Sequence, residues 1–149
     1  MHIDWDELTA TAVAAMKRAY APYSNYPVGA AGIGADGVIY SGCNVENASY
    51  PVGLCAECGM ISDLVKAGGG RLVAMIAVNG NEEPVVPCGR CRQLVYEHGG
   101  DNLLVKIPAG VLAMREVMPF GFGTIEMGEV KGATTVPREP GFFDDRPGV

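Results

Sequence analysis

The sequence predicts an α/β protein in which helices cover both faces of a sheet. Three observations carry this prediction: a helical repeat near the N-terminus, an Asp-Gly pair between two apolar runs, and two later apolar runs of strand length that each follow a helical segment. The elements therefore come in the order α-β-β-α-β-α-β with a short helix after them, and helices placed between strands pack on both sides of a sheet. The 149 residues are enough for one domain with its own core.

The first half of the chain is predicted to form a helix, a hairpin and a second helix. Apolar residues recur every three or four positions over residues 5–20, which indicates one face of a helix. Asp36-Gly37 between the apolar runs 28–35 and 38–43 predicts a hairpin turn. A helix is then expected over 55–66, ended by a run of three glycines.

The second half is predicted to alternate strands with short helices. Residues 72–78 form a continuous apolar run, which is typical of a strand buried on both faces. A helix is expected over 89–97 and another buried strand over 103–107. We expect a last short helix over 111–117, stopped by Pro119.

The net charge and the hydropathy pattern disfavour nucleic acids and membranes as partners. The net charge is −6, from 11 basic and 17 acidic residues, which disfavours binding to a phosphate backbone. No apolar run reaches the 18 residues of a membrane span. The N-terminus is acidic, whereas a secretory signal starts basic and continues apolar, so we expect a cytoplasmic protein without nucleic-acid or membrane partners.

Four of the five cysteines form two Cys-x-x-Cys pairs, Cys55 with Cys58 and Cys88 with Cys91. In a cytosolic chain such pairs are typical of metal binding or catalysis rather than disulfides. Four thiolates can close a structural zinc site, and the spacing alone leaves that interpretation open. Both pairs stand at predicted helix starts, where backbone N–H groups and the positive helix end stabilise thiolates. The fifth cysteine, Cys43, is expected to be buried and unreactive.

Glu57 favours an open zinc site over a closed one. A carboxylate two positions after Cys55 is not needed in a cage of four thiolates and would repel it. If only Cys55, Cys88 and Cys91 bind zinc, water can take the fourth position, and its pKa falls to about 7. Glu57 can then accept a proton and deliver it to a leaving group. Cys-x-Glu followed downstream by Pro-Cys-x-x-Cys is the signature of the zinc deaminases.

Four blocks in order resemble the cytidine deaminase family in its short, three-cysteine form. They are APYSNYPVGAA (21–31), GCNVENASYP (42–51), CAE (55–57) and PCGRCRQ (87–93). The resemblance implies a three-layer α/β/α fold with a mixed central sheet of about five strands. It also implies zinc-dependent, hydrolytic deamination of cytidine and 2′-deoxycytidine to the uridines, with release of ammonia, in pyrimidine salvage.

The resemblance implies the site residues as well. Cys55, Cys88 and Cys91 would bind one Zn²⁺ per chain, and Glu57 would carry the proton and contact the pyrimidine. Asn44 and Glu46 would bind the ribose 3′-hydroxyl, since an amide can donate to a hydroxyl and a carboxylate can accept from it. Taken without the other blocks, these two residues would be ordinary solvated loop residues. The remaining substrate contacts implied are Tyr26, Ala56, Ala48, Tyr50 and Phe122.

A homotetramer with shared sites is a further implication of the resemblance. Phe122 resembles a C-terminal aromatic residue that, in this family, comes from a neighbouring subunit and stacks on the base. Ala48 and Tyr50 match positions that reach a neighbour's site near the 5′-hydroxyl. The expected partners are therefore a small nucleoside and the chain itself. The deaminase domain would span 1–127, and 128–149 would be a flexible tail, since Pro, Gly and charge mix there without a period.

The sequence departs from the usual family pattern at two positions, and two other interpretations stay open. Cys58 stands where many members have an arginine that hydrogen-bonds the thiolates, and Tyr26 stands where a phenylalanine is usual. A deaminase of a nucleoside antibiotic such as blasticidin S shares the cysteine blocks but not the full 44–50 block. A non-catalytic zinc module with four cysteines would need Cys58 as a ligand.

Overall fold

The computed structural model describes residues 1–123 and 126–127 and has a five-stranded sheet at its centre. The strands are β1 (Gly29–Gly34), β2 (Ile39–Cys43), β3 (Leu72–Val78), β4 (Leu104–Ile107) and β5 (Gly110–Ala113). Their spatial order is β2-β1-β3-β4-β5. Among these strands, β3 and β4 pair in parallel, and the other three neighbouring pairs are antiparallel. The predicted mixed sheet of about five strands is thus confirmed.

Helices lie on both faces of this sheet. They are α1 (Trp5–Met16), α2 (Ala56–Ala67), α3 (Gly89–Gly99) and α4 (Met114–Val117), with one 3₁₀ turn at Tyr50–Val52. Alternate residues of the strands point to opposite faces, and the buried core accordingly divides in two. One cluster joins α1 to residues such as Ala31 and Ile76, and the other joins α2, α3 and α4 to residues such as Ala30 and Met75. The α/β class and three-layer arrangement are confirmed.

The first helix ends earlier than predicted, because the residues after it pair with the loop that follows β2. Asp4 caps α1 by accepting hydrogen bonds from the N–H groups of Asp6 and Glu7, both at 3.0 Å. The helix stops at Met16 rather than at residue 20, because Tyr20 pairs with the loop that follows β2. The Tyr20 N–H donates to the Asn44 carbonyl at 3.0 Å, and the Tyr20 carbonyl accepts from the Glu46 N–H at 2.8 Å.

Glycines bring two helices into direct contact with the sheet. A Cβ at Gly29 would collide with the carbonyl oxygen of Ala12 in α1, and one at Gly42 would collide with the carbonyl oxygen of Ala56 in α2. Gly42 in turn lies against Gly59, whose added Cβ would be 3.2 Å from its Cα. The start of α2 therefore lies directly beside the end of β2 and the loop that follows it.

The predicted helix over 111–117 is wrong in its first half. Pro108 and Ala109 form a two-residue turn, and Gly110 has a φ of 121°, which reverses the chain so that β5 pairs with β4. Val111 pairs with Lys106, and backbone pairing with an existing sheet edge outweighs a local helical pattern. Only Met114–Val117 remains helical.

The proposed tail over 128–149 lies outside the described residues. Among the residues that the structure describes, no helix has the length and hydropathy needed to span a bilayer.

Candidate active site

Three of the cysteine side chains meet where α2 and α3 begin. The Sγ atoms of Cys55, Cys88 and Cys91 all lie within 4.8 Å of one another. Those of Cys55 and Cys88 are 3.9 Å apart. Thiolates bound tetrahedrally to one zinc ion at 2.3 Å would be about 3.8 Å apart. The observed spacing therefore fits one zinc ion held by three sulfurs.

Both ligand-bearing helices begin at a cysteine, as the sequence predicts. Cys55 is the N-cap of α2 and Cys88 the N-cap of α3, and neither side chain makes a capping hydrogen bond. Serine, threonine, aspartate or asparagine at an N-cap would contribute about 1 kcal/mol. Cysteine gives up that stabilisation at both positions, which favours a metal-binding role for the thiols over a helix-stabilising one. Cys91 follows in the first turn of α3 and is fully buried.

Glu57 places a carboxylate beside the three thiols. It lies in the first turn of α2 and is 4% exposed, a buried charged residue in the part of the chain that the structure describes. Its negative charge disfavours the thiolate form of all three cysteines. A buried carboxylate needs a partner to offset its loss of hydration. A divalent cation bound by the neighbouring thiolates would supply one.

The electrostatics of the thiols also fit a cation. Burial raises the pKa of Cys91, and the negative charge of Glu57 raises it further. Burial raises the pKa of Cys55 as well. Burial acts in the same direction on Cys88, but hydrogen bonds from the Cys91 backbone N–H and from the neighbouring thiols outweigh it and lower the pKa of Cys88. Three thiolates beside a carboxylate thus require positive charge, so zinc fits the donor set.

Cys58 lies outside this group of thiols. It is half-buried, and its Sγ is 3.8 Å from Nη2 of Arg90, whose Nη1 is 3.4 Å from the carbonyl oxygen of Gly53. This geometry therefore does not fit a zinc site closed by four thiolates. Cys43, at the end of β2, is half-buried and not fully buried as expected.

A cleft of about 210 Å³ opens onto the thiols and Glu57. Its floor contains Cys55, Ala56, Glu57 and Cys88. Its walls are mostly apolar, and they contain Tyr26, Val28, Asn44, Val85 and Val86. Apolar walls with a few convergent polar groups are typical of a site for a small organic ligand.

Asn44 and Glu46 hold the segment that forms one wall of this cleft. Oδ1 of Asn44 accepts from Val28 N–H at 2.8 Å, and its Nδ2 donates to the Tyr26 carbonyl at 2.9 Å. Oε1 of Glu46 accepts from the N–H groups of Tyr23 and Ser24 at 2.9 and 3.1 Å. The Ser24 side chain also hydrogen-bonds Glu46, which holds the pKa of that carboxyl below its usual range. Glu46 lines a neighbouring cavity of about 380 Å³ rather than the cleft itself.

Besides Glu46, three further predicted substrate residues lie outside the cleft within a single chain. Tyr50 is 74% exposed and packs edge-on against Tyr23, with ring centroids 5.8 Å apart. Ala48 is exposed beside it. Phe122 is 59% exposed and lines a different cavity of about 410 Å³. The structure thus gathers the three clustered cysteines, Glu57, Tyr26, Ala56 and Asn44, and it leaves Glu46, Ala48, Tyr50 and Phe122 outside the cleft.

The sequence reasoning missed the two valines that wall the cleft. Val85 and Val86 come directly before Pro87-Cys88, so their closeness in sequence to a candidate metal-binding cysteine could have indicated them. Val85 N–H donates to the Ala77 carbonyl at 2.9 Å, which anchors this wall to the end of β3.

Comparison with known proteins agrees with this geometry. Residues 4–106 match the family described as cytidine and deoxycytidylate deaminase zinc-binding region. The chain is 46% identical over 121 residues to a cytidine deaminase of Mycobacterium tuberculosis, covering 81% of this chain and 91% of the relative. A crystal structure of cytidine deaminase from Mycobacterium leprae matches with 56% identity and a TM-score of 0.78, over 79% of this chain and 99% of that one.

More distant relatives extend the comparison. A cytidine deaminase of Sporosarcina psychrophila is 43% identical over 95 residues, which cover 64% of this chain and 70% of the relative. The cytidine deaminase from Bacillus anthracis shares the fold, with a TM-score of 0.64 at 20% identity over 78% of this chain and 88% of that one. Since the family match covers well over half of the chain, the chain belongs to the cytidine and deoxycytidylate deaminase zinc-binding family.

Proposed function

We propose that the protein is a zinc-dependent cytidine deaminase, which hydrolyses cytidine and 2′-deoxycytidine to the uridines and ammonia in pyrimidine salvage. The observation that carries the proposal is the buried carboxylate of Glu57 beside three clustered thiols at the floor of an apolar cleft. A structural zinc module has no use for such a carboxylate or for a cleft that leads to it.

The chemistry divides between the metal and this chain's own side chains. We propose that Cys55, Cys88 and Cys91 bind one zinc per chain, and zinc bound there would lower the pKa of water towards about 7. Water attacks C4 of the pyrimidine, and Glu57 takes up its proton. Glu57 delivers that proton to N3 of the ring, then carries the second proton of the water from the new C4 hydroxyl to the amino group. The C4–N bond breaks, ammonia leaves, and the C4 carbonyl forms. The burial of Glu57 in the first turn of α2 restricts its carboxylate to a position beside the three thiols.

The walls of the cleft suit the rest of the nucleoside. The Tyr26 ring and the valines give the base an apolar slot, and the backbone of Ala56 lies at the floor. Asn44 uses one N–H and one lone pair of its amide on the backbone, which leaves a second N–H for a ribose hydroxyl. We propose that Glu46, whose lowered pKa keeps it ionised, accepts a hydrogen bond from the same sugar.

The direct test compares substrates on the zinc-loaded protein. We expect cytidine to give uridine and 2′-deoxycytidine to give 2′-deoxyuridine, each with one equivalent of ammonia, and we expect blasticidin S to be turned over at least a hundredfold more slowly. The physical reason is that an analogue without the ribose leaves the polar groups that bind the ribose unpaired. Such unpaired groups can disfavour the analogue by roughly 10⁴-fold. Faster turnover of blasticidin S than of cytidine would replace this function with the antibiotic deaminase.

We also propose that the working form is a homotetramer in which neighbours complete each site. The cleft of about 210 Å³ is smaller than the pockets of roughly 300 Å³ or more that enclose drug-sized ligands. Tyr50, Val52 and Phe122 are large apolar side chains that one chain leaves mostly exposed. Phe122 would stack on the base in a neighbour's cleft, and Ala48 and Tyr50 would approach its 5′-hydroxyl.

Light scattering during size exclusion, with cytidine assays on the same fractions, tests the assembly. We expect activity to follow the tetramer and to fall on dilution, because a pocket completed by another chain depends on association. Phe122→Ala should weaken substrate binding by about 1–3 kcal/mol, the range for losing one base-stacking partner. A fully active monomer would contradict the shared site.

Two further expectations belong to this proposal. We propose that the deaminase domain spans 1–127 and that the segment 128–149, which lies outside the described residues, is dispensable for activity. The protein works in the cytoplasm, where its free thiols, three of them needed for the metal, stay reduced.

A further inference from the structure

The chain segment that follows α4 is docked on α3 at three points. Nη1 of Arg92 donates to the last carbonyl of α4 at 3.0 Å. Gly121 lies so close to Tyr96 that an added Cβ would be 2.9 Å from its ring. Nε2 of Gln93 donates to the carbonyl oxygen of Phe122 at 2.9 Å. The backbone of residues 117–122 is thus fixed to the helix that bears two of the three clustered thiols.

This docked segment presents two aromatic side chains to solvent. Phe120 is fully exposed and has a φ of 57°, a left-handed conformation that is a genuine outlier for a bulky residue. Such a conformation persists only where the surrounding contacts hold it. Phe122 is more than half exposed. The hydrogen bond from Gln93 thus fixes the backbone from which the largely exposed Phe122 ring projects.

We infer that Gln93 is a positioning residue for substrate binding, acting through Phe122. By donating to the Phe122 carbonyl, the Gln93 amide sets the direction in which the Phe122 ring projects from the subunit. The inference rests on the proposed function, in which the ring stacks on the base in a neighbour's cleft. Cys88 caps α3 and Cys91 lies in its first turn. One helix therefore holds the metal ligands of its own site and orients the aromatic ring given to the next.

Gln93→Glu in the full-length, zinc-loaded protein tests this role. The substitution keeps the side-chain size but removes the donor, and it should be tolerated because Gln93 is exposed. We expect KM for cytidine to rise about three- to tenfold, the usual value of one hydrogen bond. The Kd of uridine, measured by calorimetry, should rise by the same factor. Values of kcat, zinc content and oligomeric state should stay at wild-type levels. Glu97→Gln on the same helix controls for a change of charge.

A double-mutant cycle separates positioning from a general structural role. In a Phe122→Ala background, Gln93→Glu should change the uridine Kd by less than a factor of about 1.5, since coupled residues are not additive. An unchanged KM and Kd in the single variant, or an equal rise in both backgrounds, would overturn the inference. Absence of deamination by the wild type would instead overturn the proposed function, and the uridine titration would still decide on Gln93.

Discussion

Replacing Glu57 with glutamine is expected to lower kcat for cytidine by at least a hundredfold while the protein keeps its zinc and its fold. Glutamine preserves the size of the buried side chain, but it cannot accept a proton and return it. Proton transfer by a positioned group contributes roughly 10²–10⁴-fold to a rate. The cluster of thiols does not depend on Glu57 as a ligand, so the metal content should be unchanged. Steady-state ammonia release, paired with metal analysis of the same sample, measures both quantities.

A matched variant makes the Glu57 result specific. Glu7→Gln also converts a carboxylate to an amide, but it lies in α1 on the opposite face of the sheet from α2. We expect this variant to retain wild-type turnover. Turnover near the wild-type rate in Glu57→Gln would rule out the proton-transfer role, whereas loss of zinc in that variant would show that Glu57 supports the metal site instead.

Single serine substitutions should divide the cysteines into two classes by zinc content. Cys55→Ser, Cys88→Ser and Cys91→Ser are expected to lose most of the metal, because each removes one of three clustered thiolates. Cys58→Ser should retain one zinc per chain, since its sulfur contacts Arg90 and lies outside the cluster. Metal analysis by plasma mass spectrometry after gel filtration distinguishes the classes.

Cys43→Ser serves as the control for this series, because Cys43 is a half-buried thiol outside the cluster. It should retain its zinc. If Cys58→Ser instead emptied the site as completely as Cys91→Ser, four thiolates would close the metal site, and the interpretation as a structural zinc module would return.

The chemistry-bearing part of the site could be predicted from sequence because it is locally encoded. Cys55 and Glu57 are two positions apart at one helix start, and Cys88 and Cys91 are three apart at another. Such short spacings keep each set of side chains at a single helix start. The strand over residues 72–78 was also predictable in full, since an apolar run of that length bounded by polar residues leaves few alternatives.

Features that depend on distant pairing could not be predicted in this way. The helical pattern over 5–20 is broken at Met16 by a bridge from Tyr20 to a loop more than twenty residues later. The pattern over 111–117 is overridden by pairing with β4. The cleft walls at Val85 and Val86 are brought to Tyr26 only when β1 and β3 pair. In each case long-range hydrogen bonds outweigh the local preference.

Asn44 hydrogen-bonds the backbone of both Val28 and Tyr26, and this affects any attempt to redesign nucleoside specificity. A substitution that removes the amide breaks one or both of the hydrogen bonds to the backbone of Val28 and Tyr26, so it alters the wall of the cleft together with any contact to a ligand. Glu46 is constrained in the same way by the amides of Tyr23 and Ser24. Directed evolution towards altered nucleosides would therefore proceed through side chains that wall the cleft without holding it, such as the half-exposed Tyr26 ring and exposed Val86. Asn44 and Glu46 are therefore structural supports of the wall whatever else they contact.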